Sequence, residues 1–159
     1  MRRTDREVTN PEEICRILKK AEVLRIAMND GAYPYILPVN FGFEMKAGRL
    51  CLYFHGSDQG SKNEIIRRDP HVSFEVDCGH MLIAPQGKEP CTASYAYESV
   101  IGRGLAERAE EVEKGELLRL IAEHYGIPAE TFHPGYFAST AVYKITVEHY
   151  TAKRRPVKP

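Results

Sequence analysis

Residues 54–70, FHGSDQGSKNEIIRRDP, combine residue types that can hold a phosphate group. Gly56 and Gly60 lie in a loop before a predicted helix, and glycine lets the backbone come close to a ligand. Ser61 lies at the start of that helix, where free N–H groups and the helix dipole attract an anion. Lys62 adds a positive charge beside them. The pattern is compatible with a phosphate site, but on this segment alone a capped helix with an exposed lysine is the favoured interpretation.

Two glycine motifs that bind nucleotides are missing from the sequence. The chain contains no GxxxxGK[ST], so no Walker loop is predicted. No GxGxxG follows the first predicted strand, so a Rossmann cofactor site is not predicted either.

Metal and nucleophile chemistry have weaker support. Cys78, His80 and Cys91, with Asp77 as a fourth ligand, could in principle meet around zinc. Their spacing matches no common zinc site, so we predict no metal. A nucleophilic cysteine–histidine pair forms in space rather than in sequence, and no feature of the sequence selects one.

Composition and charge narrow the class of protein. The 159 residues predict a single domain, residues 1–159, and 43% of them are apolar, which is enough for a packed core. Lysine plus arginine equals aspartate plus glutamate, at 22 each, which argues against nucleic-acid binding. The basic tail KRRPVK, residues 153–158, is interpreted as a solvated end.

The sequence also predicts where the protein resides. No apolar run approaches the roughly 20 residues that a membrane span needs. The charged first residues, MRRTDREVTNPEE, lack the apolar segment of a signal peptide. We therefore expect a cytoplasmic protein without a membrane partner. Its four cysteines are far apart in the sequence and are expected to be free thiols.

Apolar periodicity gives the elements that must position these residues. Asn10 and Pro11 form a helix start, with a capping residue followed by proline at the first helical position. Helices are predicted at residues 11–20, 61–68 and 110–125, and strands at 23–28, 33–44, 49–55, 71–77, 92–109 and 139–152. Residues 78–91 are predicted to be a loop and residues 126–136 irregular.

The order of the elements predicts a mainly β, α+β fold. Short connections between the first three strands favour antiparallel pairing, and alternating βαβ units are missing. Pro38 cannot donate to a strand ladder, so it marks an edge, a bulge or a place where pairing stops. Gly102 and Gly104 would let a long strand bend, as closure of a small barrel requires. An antiparallel barrel with peripheral helices fits best.

Three stretches resemble the pyridoxamine 5′-phosphate oxidase-like flavoproteins, and more narrowly their subgroup associated with nitroimidazole resistance. They are YPYILPVNFGFE at residues 33–44, RLCLYFHGSDQGSKNEIIRRDPHVSFEVD at 49–77 and YESVIGRGLAE at 97–107. The resemblance covers nearly the whole chain, through VEHYTAK at residues 147–153. It implies a single FMN-binding split β-barrel domain, in a homodimer whose cofactor sites lie at the subunit interface.

The resemblance also implies a set of cofactor-binding residues. One strand would run along the isoalloxazine, the next would meet the ribityl chain, and the α-helical start would hold the phosphate. In that order the residues are Pro38, Val39, Asn40 and Phe41, then Phe54 and His55, then Ser61 and Lys62, with Ser99 completing the site from its own or the other subunit.

The implied function is an FMN-dependent oxidoreductase that reduces a small organic acceptor, with a nitroaromatic suggested by the subgroup. The phosphate loop reads GSK, with one cation where the vitamer-oxidising members carry an arginine beside the lysine. We therefore do not expect pyridoxamine phosphate to be the substrate. The alternatives are a flavin-binding carrier or sensor without turnover, and a related barrel that binds haem or the deazaflavin F420.

Overall fold

A computed structural model describes residues 3–87 and 89–156. Its strands are β1 (Glu7–Val8), β2 (Leu24–Asp30), β3 (Tyr33–Val39), β4 (Phe41–Lys46), β5 (Arg49–Ser57), β6 (His71–Ile83), β7 (Ser94–Arg108) and β8 (Thr140–Arg155). Its α-helices are α1 (Pro11–Lys20), α2 (Ser61–Arg68), α3 (Glu111–His124) and α4 (Pro134–Ser139). Two short 3-10 turns lie at Thr4–Arg6 and Pro90–Thr92. Within the described ranges, no helix is long and apolar enough to cross a membrane.

The strands form one antiparallel sheet whose order is β3-β2-β6-β7-β8-β5-β4, with β1 paired to β8. The two edge strands, β3 and β4, are consecutive in sequence and only Asn40 separates them. The sheet must therefore curl until its two edges approach each other at Asn40. This arrangement confirms the predicted antiparallel split barrel with peripheral helices.

Strand alternation fills the barrel with large apolar side chains. In β2 every second residue is buried, through Leu24, Ile26 and Met28. Across β4, β5 and β8, Phe41 pairs with Phe54 and Phe54 pairs with Tyr143. The rings of the second pair stack at 4.9 Å between centroids. Aromatic pairs of this kind add about 0.5–1.5 kcal/mol beyond the burial of their area.

The helices α1 and α2 have the bounds that the sequence predicts. Asn10 caps α1, because its side-chain oxygen accepts hydrogen bonds from the backbone N–H groups of Glu12 and Glu13. Helix α3 lies on the outer side of β4 and β5. Its backbone comes so close to Gly42 that a Cβ on that residue would lie 2.7 Å from the carbonyl oxygen of Leu120. Only glycine fits there without displacing the helix.

Several predicted boundaries were wrong. The predicted strand 33–44 is two strands, because the chain passes from one sheet edge to the other at Asn40. The strand predicted to end at residue 77 continues to Ile83 through a register shift between Cys78 and Met81. The predicted loop 78–91 is correspondingly shorter.

Two further segments differ from their predictions. Residues 134–139, within and just beyond the predicted irregular segment, form α4. The basic tail is not simply a solvated end, because residues 153–155 belong to β8 and pair with β7. Lys158 lies outside the described residues.

Candidate functional site

The segment between β5 and α2, residues 56–62, is here called the α2 loop. Gly60 is the N-cap residue of α2 and has φ 107°, a conformation that residues with a Cβ rarely adopt. No side chain of the described residues caps this helix end. Ser61 is the first helical residue and is exposed. The N-terminus of α2 is therefore free to interact with an anion through backbone N–H groups and the helix dipole.

Lys62 is buried, with 9% of its surface exposed, which contradicts the alternative of an exposed lysine. Its ammonium donates hydrogen bonds to the carbonyl oxygens of Ser57 and Gln59, the second at 3.4 Å. An ammonium has three donors, so one remains for a ligand. Burial lowers the pKa of Lys62 because it removes water from the charged form.

Arg108, at the end of β7, is a second cation beside the α2 loop. Its charge adds to the lowering of the Lys62 pKa, after burial, while Asp58 opposes it. Only one cation was predicted here from the sequence, because Arg108 is distant in sequence and reaches the loop only through the pairing of β7 with β8. Two cations lie close enough to interact, and a bound anion would relieve their mutual repulsion.

Asn63 fixes the shape of the α2 loop. Its side-chain amide donates to the carbonyl oxygen of Asp58, and its side-chain oxygen accepts from the hydroxyl of Tyr143. The backbone N–H of Asp58 donates to the carbonyl of Ser139 at 3.0 Å. The loop is thus tied to α2, to the barrel interior and to the end of α4 by contacts within the chain, so a ligand would find it largely preformed.

A cavity of about 560 Å³, here called the α3 cavity, lies between α3, α4 and the outer face of β5. Its volume lies in the range of small-molecule sites. Among the described residues, no aspartate, glutamate, lysine or arginine lines it. The lining residues are Asn40, His55, Leu118, Ile121, Ala122, Tyr125, Ile127, Thr131, Phe132, His133, Tyr136, Phe137 and Thr140.

The α3 cavity brings together two residues that the sequence analysis singled out. Asn40 joins β3 to β4, and His55 projects from β5 on the face opposite the barrel interior. The cavity also reaches towards the α2 loop, because its lining residue Thr140 pairs with Ser57 across β5 and β8. The carbonyl of Ser57 is the one that accepts from Lys62. The ammonium is therefore hydrogen-bonded to Ser57, the strand partner of a residue in the cavity wall.

Pro38 and Val39 precede Asn40 on the edge strand β3. Pro38 is exposed and pairs with Arg25 of β2, so the missing N–H lies at a sheet edge, one of the three places predicted for it. Val39 is half-buried and packs against the core. Neither residue lines the α3 cavity. They lie beside it through their chain neighbour Asn40.

Phe41 and Phe54 turn their side chains into the barrel, where both are 0% exposed. The backbone N–H of Phe41 donates to the hydroxyl of Tyr125 at 3.0 Å, and that hydroxyl donates to the carbonyl of Glu22 at 2.7 Å. A role for these two phenylalanines in binding a cofactor is thereby restricted to their main-chain atoms.

Ser99 does not join the other predicted site residues within one chain. It pairs with Lys153 of β8, whereas His55 pairs with Val142 of the same strand. Eleven residues of β8 separate these partners, which is about 36 Å of strand at about 3.3 Å per residue. A contribution of Ser99 to the site that contains His55 thus requires a second subunit.

The aromatic wall of the α3 cavity was not predicted from the sequence. The rings of Phe132 and Phe137 lie 5.8 Å apart, and the ring of His133 lies 5.3 Å from that of Tyr136. The backbone N–H of Gly135 donates to Nδ1 of His133 at 3.3 Å, which leaves the Nε2 proton available to a ligand. The only sequence signal was the aromatic and histidine content of TFHPGYF, residues 131–137, within a segment without periodicity.

The surroundings of His55 lower its pKa, so the stability of the protein should depend on pH. Although His55 is exposed at the cavity wall, the surrounding protein atoms lower its pKa from 6.5 by desolvation. Between the lowered pKa and about 6.5 the unfolded chain binds more protons than the folded one. The free energy of unfolding should therefore fall as the pH falls through this window.

Urea unfolding of the wild type and of His55→Gln at pH values between about 5 and about 8 measures that slope. The substitution should flatten it. His149→Gln, which removes an exposed histidine of β8, is the matched control. Equal slopes for His55→Gln and the wild type would contradict the prediction.

The sheet order and the cavity beside the α2 loop define a split-barrel protein with a candidate ligand site on the outer face of its barrel. Residues 10–154 match the family model described as pyridoxamine 5′-phosphate oxidase. The chain belongs to this family. No match is found among curated protein sequences.

Solved structures show the same fold. A candidate 5-nitroimidazole antibiotic resistance protein from Bacteroides thetaiotaomicron is 27% identical, with a TM-score of 0.77 over 93% of this chain and 86% of that one. The flavocytochrome Anf3 from Azotobacter vinelandii is 21% identical, with a TM-score of 0.81 over 100% and 73%. An FAD and haem binding protein from Mycobacterium smegmatis is 18% identical, with a TM-score of 0.81 over 97% and 75%.

Proposed function

We propose that the protein binds FMN, with the phosphate at the α2 loop and the isoalloxazine in or beside the α3 cavity. The observation that carries this proposal is the position of Lys62. Its side chain is buried, and its ammonium donates to Ser57, the strand partner of Thr140 in the cavity wall. Ser61 contributes the free start of α2. Arg108 supplies the second charge that the phosphate dianion needs.

The proposed phosphate site would hold one phosphate group, and the cavity beside it has no charged side chain among its lining residues. These two features favour FMN over FAD and over haem. Of the proteins with the same fold, one is a flavocytochrome and another is an FAD and haem binding protein. Haem carries two propionate carboxylates and no phosphate group, so it offers no phosphate to the start of α2. FMN ends in a single phosphate monoester, which matches one helix start and two cations.

We propose that the protein is an oxidoreductase and that its acceptor is a small, uncharged, planar compound. The lining of the α3 cavity, with four aromatic rings and two imidazoles, suits a planar ligand and offers no partner for a second phosphate. A bound flavin would carry electrons between donor and acceptor. The residues of the chain would bind and orient the acceptor, and His133 or His55 would hold a proton close to it.

A nitroaromatic such as a nitroimidazole fits these requirements. The protein from B. thetaiotaomicron, a candidate 5-nitroimidazole antibiotic resistance protein, is similar over 93% of this chain and 86% of its own. Reduction of the nitro group to a nitroso group consumes two electrons and two protons and releases water. A reduced nicotinamide cofactor supplies the electron pair and one of the protons, and solvent supplies the other.

We further propose a homodimer that places Ser99 of one subunit at the cofactor of the other. The long hairpin of β6 and β7 exposes Met81, Leu82 and Tyr95, each with more than half of its surface accessible. Clusters of exposed large apolar residues are typical of protein interfaces. Analytical ultracentrifugation of the wild type and of Leu82→Asp, which should dissociate the dimer, tests this assembly.

Turnover separates the oxidoreductase from a carrier or sensor. The FMN-loaded protein is mixed with reduced nicotinamide cofactor, with and without a nitroimidazole, and nicotinamide oxidation is followed by its absorbance. We expect oxidation that depends on the acceptor and consumes one nicotinamide per two electrons transferred. Oxidation that is the same without protein, or no oxidation with any acceptor, would leave only the carrier function.

Gly56 lies against the end of the Lys62 side chain, so a larger residue there should change FMN affinity moderately. A Cβ on Gly56 would lie 2.9 Å from Cε and 3.3 Å from Nζ of Lys62. Because the end of a lysine side chain is flexible, Gly56→Ala should move the ammonium rather than unfold the protein. We expect FMN affinity to fall by about 3- to 10-fold, or roughly 1 kcal/mol, with a smaller change in stability. Fluorescence titration with FMN and urea unfolding measure the two effects, and unchanged affinity would contradict the prediction.

A further inference from the structure

A second cavity, here called the α1 cavity, lies where α1 meets the far ends of β7 and β8. It has a volume of about 340 Å³. It shares no lining residue with the α3 cavity and includes no residue of the α2 loop. Arg154 in its wall is twelve residues along β8 from Val142, the strand partner of His55. The lining residues are Arg16, Lys20, Gly79, Met81, Ala96, Tyr97, Glu98, Arg154, Arg155 and Pro156.

One carboxylate at the centre of this cavity receives three cations. Glu98 accepts from Lys20 at 2.8 Å, from Nε of Arg154 at 2.6 Å and from Arg16 at 3.4 Å. Its side chain is only 10% exposed. Burial alone would raise the pKa of Glu98, but the hydrogen bonds from Lys20 and Arg154 outweigh burial and lower it. Glu98 is therefore ionised and already saturated with cations.

The cations nevertheless outnumber the acids. Arg154 also contacts Glu13, at 3.2 Å from Nη1, and Arg155 adds a further charge to the cavity wall. The cluster therefore has two carboxylates and four cations, so two positive charges have no acidic partner within it. The carboxylates are Glu13 and Glu98, and the cations are Arg16, Lys20, Arg154 and Arg155. Like charges gathered in a partly buried site repel one another unless an anion joins them.

One donor of this cluster lacks an acceptor. Nη2 of Arg154 is buried and has no hydrogen-bond partner among residues 3–87 and 89–156. A buried guanidinium N–H without an acceptor costs about 1–3 kcal/mol or more, so such groups are nearly always paired with protein, water or a ligand. The fork of an arginine side chain matches the oxygens of a phosphate group.

We propose that the α1 cavity binds a phosphate monoester through Arg16, Arg154 and Arg155. A phosphate monoester carries about −1.5 to −2 charges at pH 7, which matches the two uncompensated positive charges. Its oxygens supply the acceptor that Nη2 of Arg154 lacks. Tyr97 in the same wall gives an aromatic surface for the organic part of the ligand. The basic tail predicted from the sequence as a solvated end thereby acquires a binding role.

The test is isothermal titration of the FMN-saturated protein with inorganic phosphate at low salt. FMN fills the flavin site and keeps the added phosphate away from Lys62. We expect saturable binding of phosphate that chloride and acetate at equal ionic strength do not reproduce. Arg155→Gln and Arg16→Gln should each weaken it at least 10-fold, whereas Arg49→Gln, which removes an exposed arginine outside the cavity, should not.

The variants are chosen to leave the fold intact. Arg16 is about half exposed, and Arg155 makes no ion pair with the described residues. Arg154→Lys is the more severe test, because it keeps the charge but removes Nη2. Phosphate binding that is no stronger than chloride binding would overturn the proposal. So would binding that is lost in Lys62→Ala, or reduced equally by Arg49→Gln and Arg155→Gln.

Discussion

Lys62→Ala should weaken FMN binding by about 10- to 100-fold, because hydrogen bonds to a charged group contribute about 1.5–3 kcal/mol. The buried ammonium has one free donor at the start of α2 and is held in place by two carbonyl groups. Its removal takes away the main charge opposite the flavin phosphate. Titration of apoprotein with FMN, followed by flavin fluorescence, measures the dissociation constant directly.

The substitution also removes two hydrogen bonds that shape the α2 loop, so a second variant is needed. Lys62→Met keeps the length of the apolar chain and should lose a similar factor in FMN affinity. Lys19→Ala, at an exposed position of α1, is the control for removing a positive charge and should leave the affinity unchanged. An unchanged dissociation constant for a folded Lys62→Ala or Lys62→Met variant would refute the role of Lys62 in holding the phosphate.

Gly42→Ala should lower the free energy of unfolding by about 3 kcal/mol, at the upper end of the usual cost of overpacking. A Cβ at this position would lie 2.7 Å from the carbonyl oxygen of Leu120 and 2.8 Å from the backbone nitrogen of Ile121. Both contacts are to helix backbone, so no side chain can rotate away. Helix α3 must shift outward, and because Ile121 lines the α3 cavity, the cavity must change with it.

Gly115→Ala provides a matched control within α3. Apart from its own turn of the helix, a Cβ on Gly115 would meet no atom of the described residues within 4 Å, and alanine is the better helix former by about 1 kcal/mol. This variant should therefore gain stability where Gly42→Ala loses it. Urea unfolding curves of the two variants and the wild type measure both effects. A loss below about 1 kcal/mol for Gly42→Ala would mean that β4 and α3 are packed less closely than described.

Most of the barrel could be predicted from local patterns in the sequence. Helix α1 follows from its cap and its apolar face, and α2 follows from the residues between Gly60 and the aspartate–proline pair at its end. The strand β2 alternates in burial as its sequence indicates. The strands β5 and β8 instead bury three consecutive residues, at 52–54 and 141–143, because α3 packs against their outer face. The break in the predicted strand 33–44 could not be predicted from a local pattern. It occurs where the chain passes from one edge of the sheet to the other, and the closure of the whole barrel determines that position.

The candidate site was only partly predictable, for two physical reasons. Strand alternation places Phe54 and His55 on opposite faces, so only one of them can offer its side chain to the α3 cavity. The second reason is long-range pairing. Arg108 and the aromatic wall at residues 131–137 approach the α2 loop and His55 only through β8 and α3, and no local pattern encodes that contact. Lys62, by contrast, lies beside its own helix start and could be predicted.

The most direct test of the account is whether the purified chain binds FMN. The protein is stripped of any cofactor and titrated with FMN, and its visible spectrum is recorded before and after. We predict a flavin band near ~450 nm and saturation at about one FMN per chain. A colourless protein that does not bind added FMN, or one with a haem band near ~400 nm and no flavin, would contradict the account.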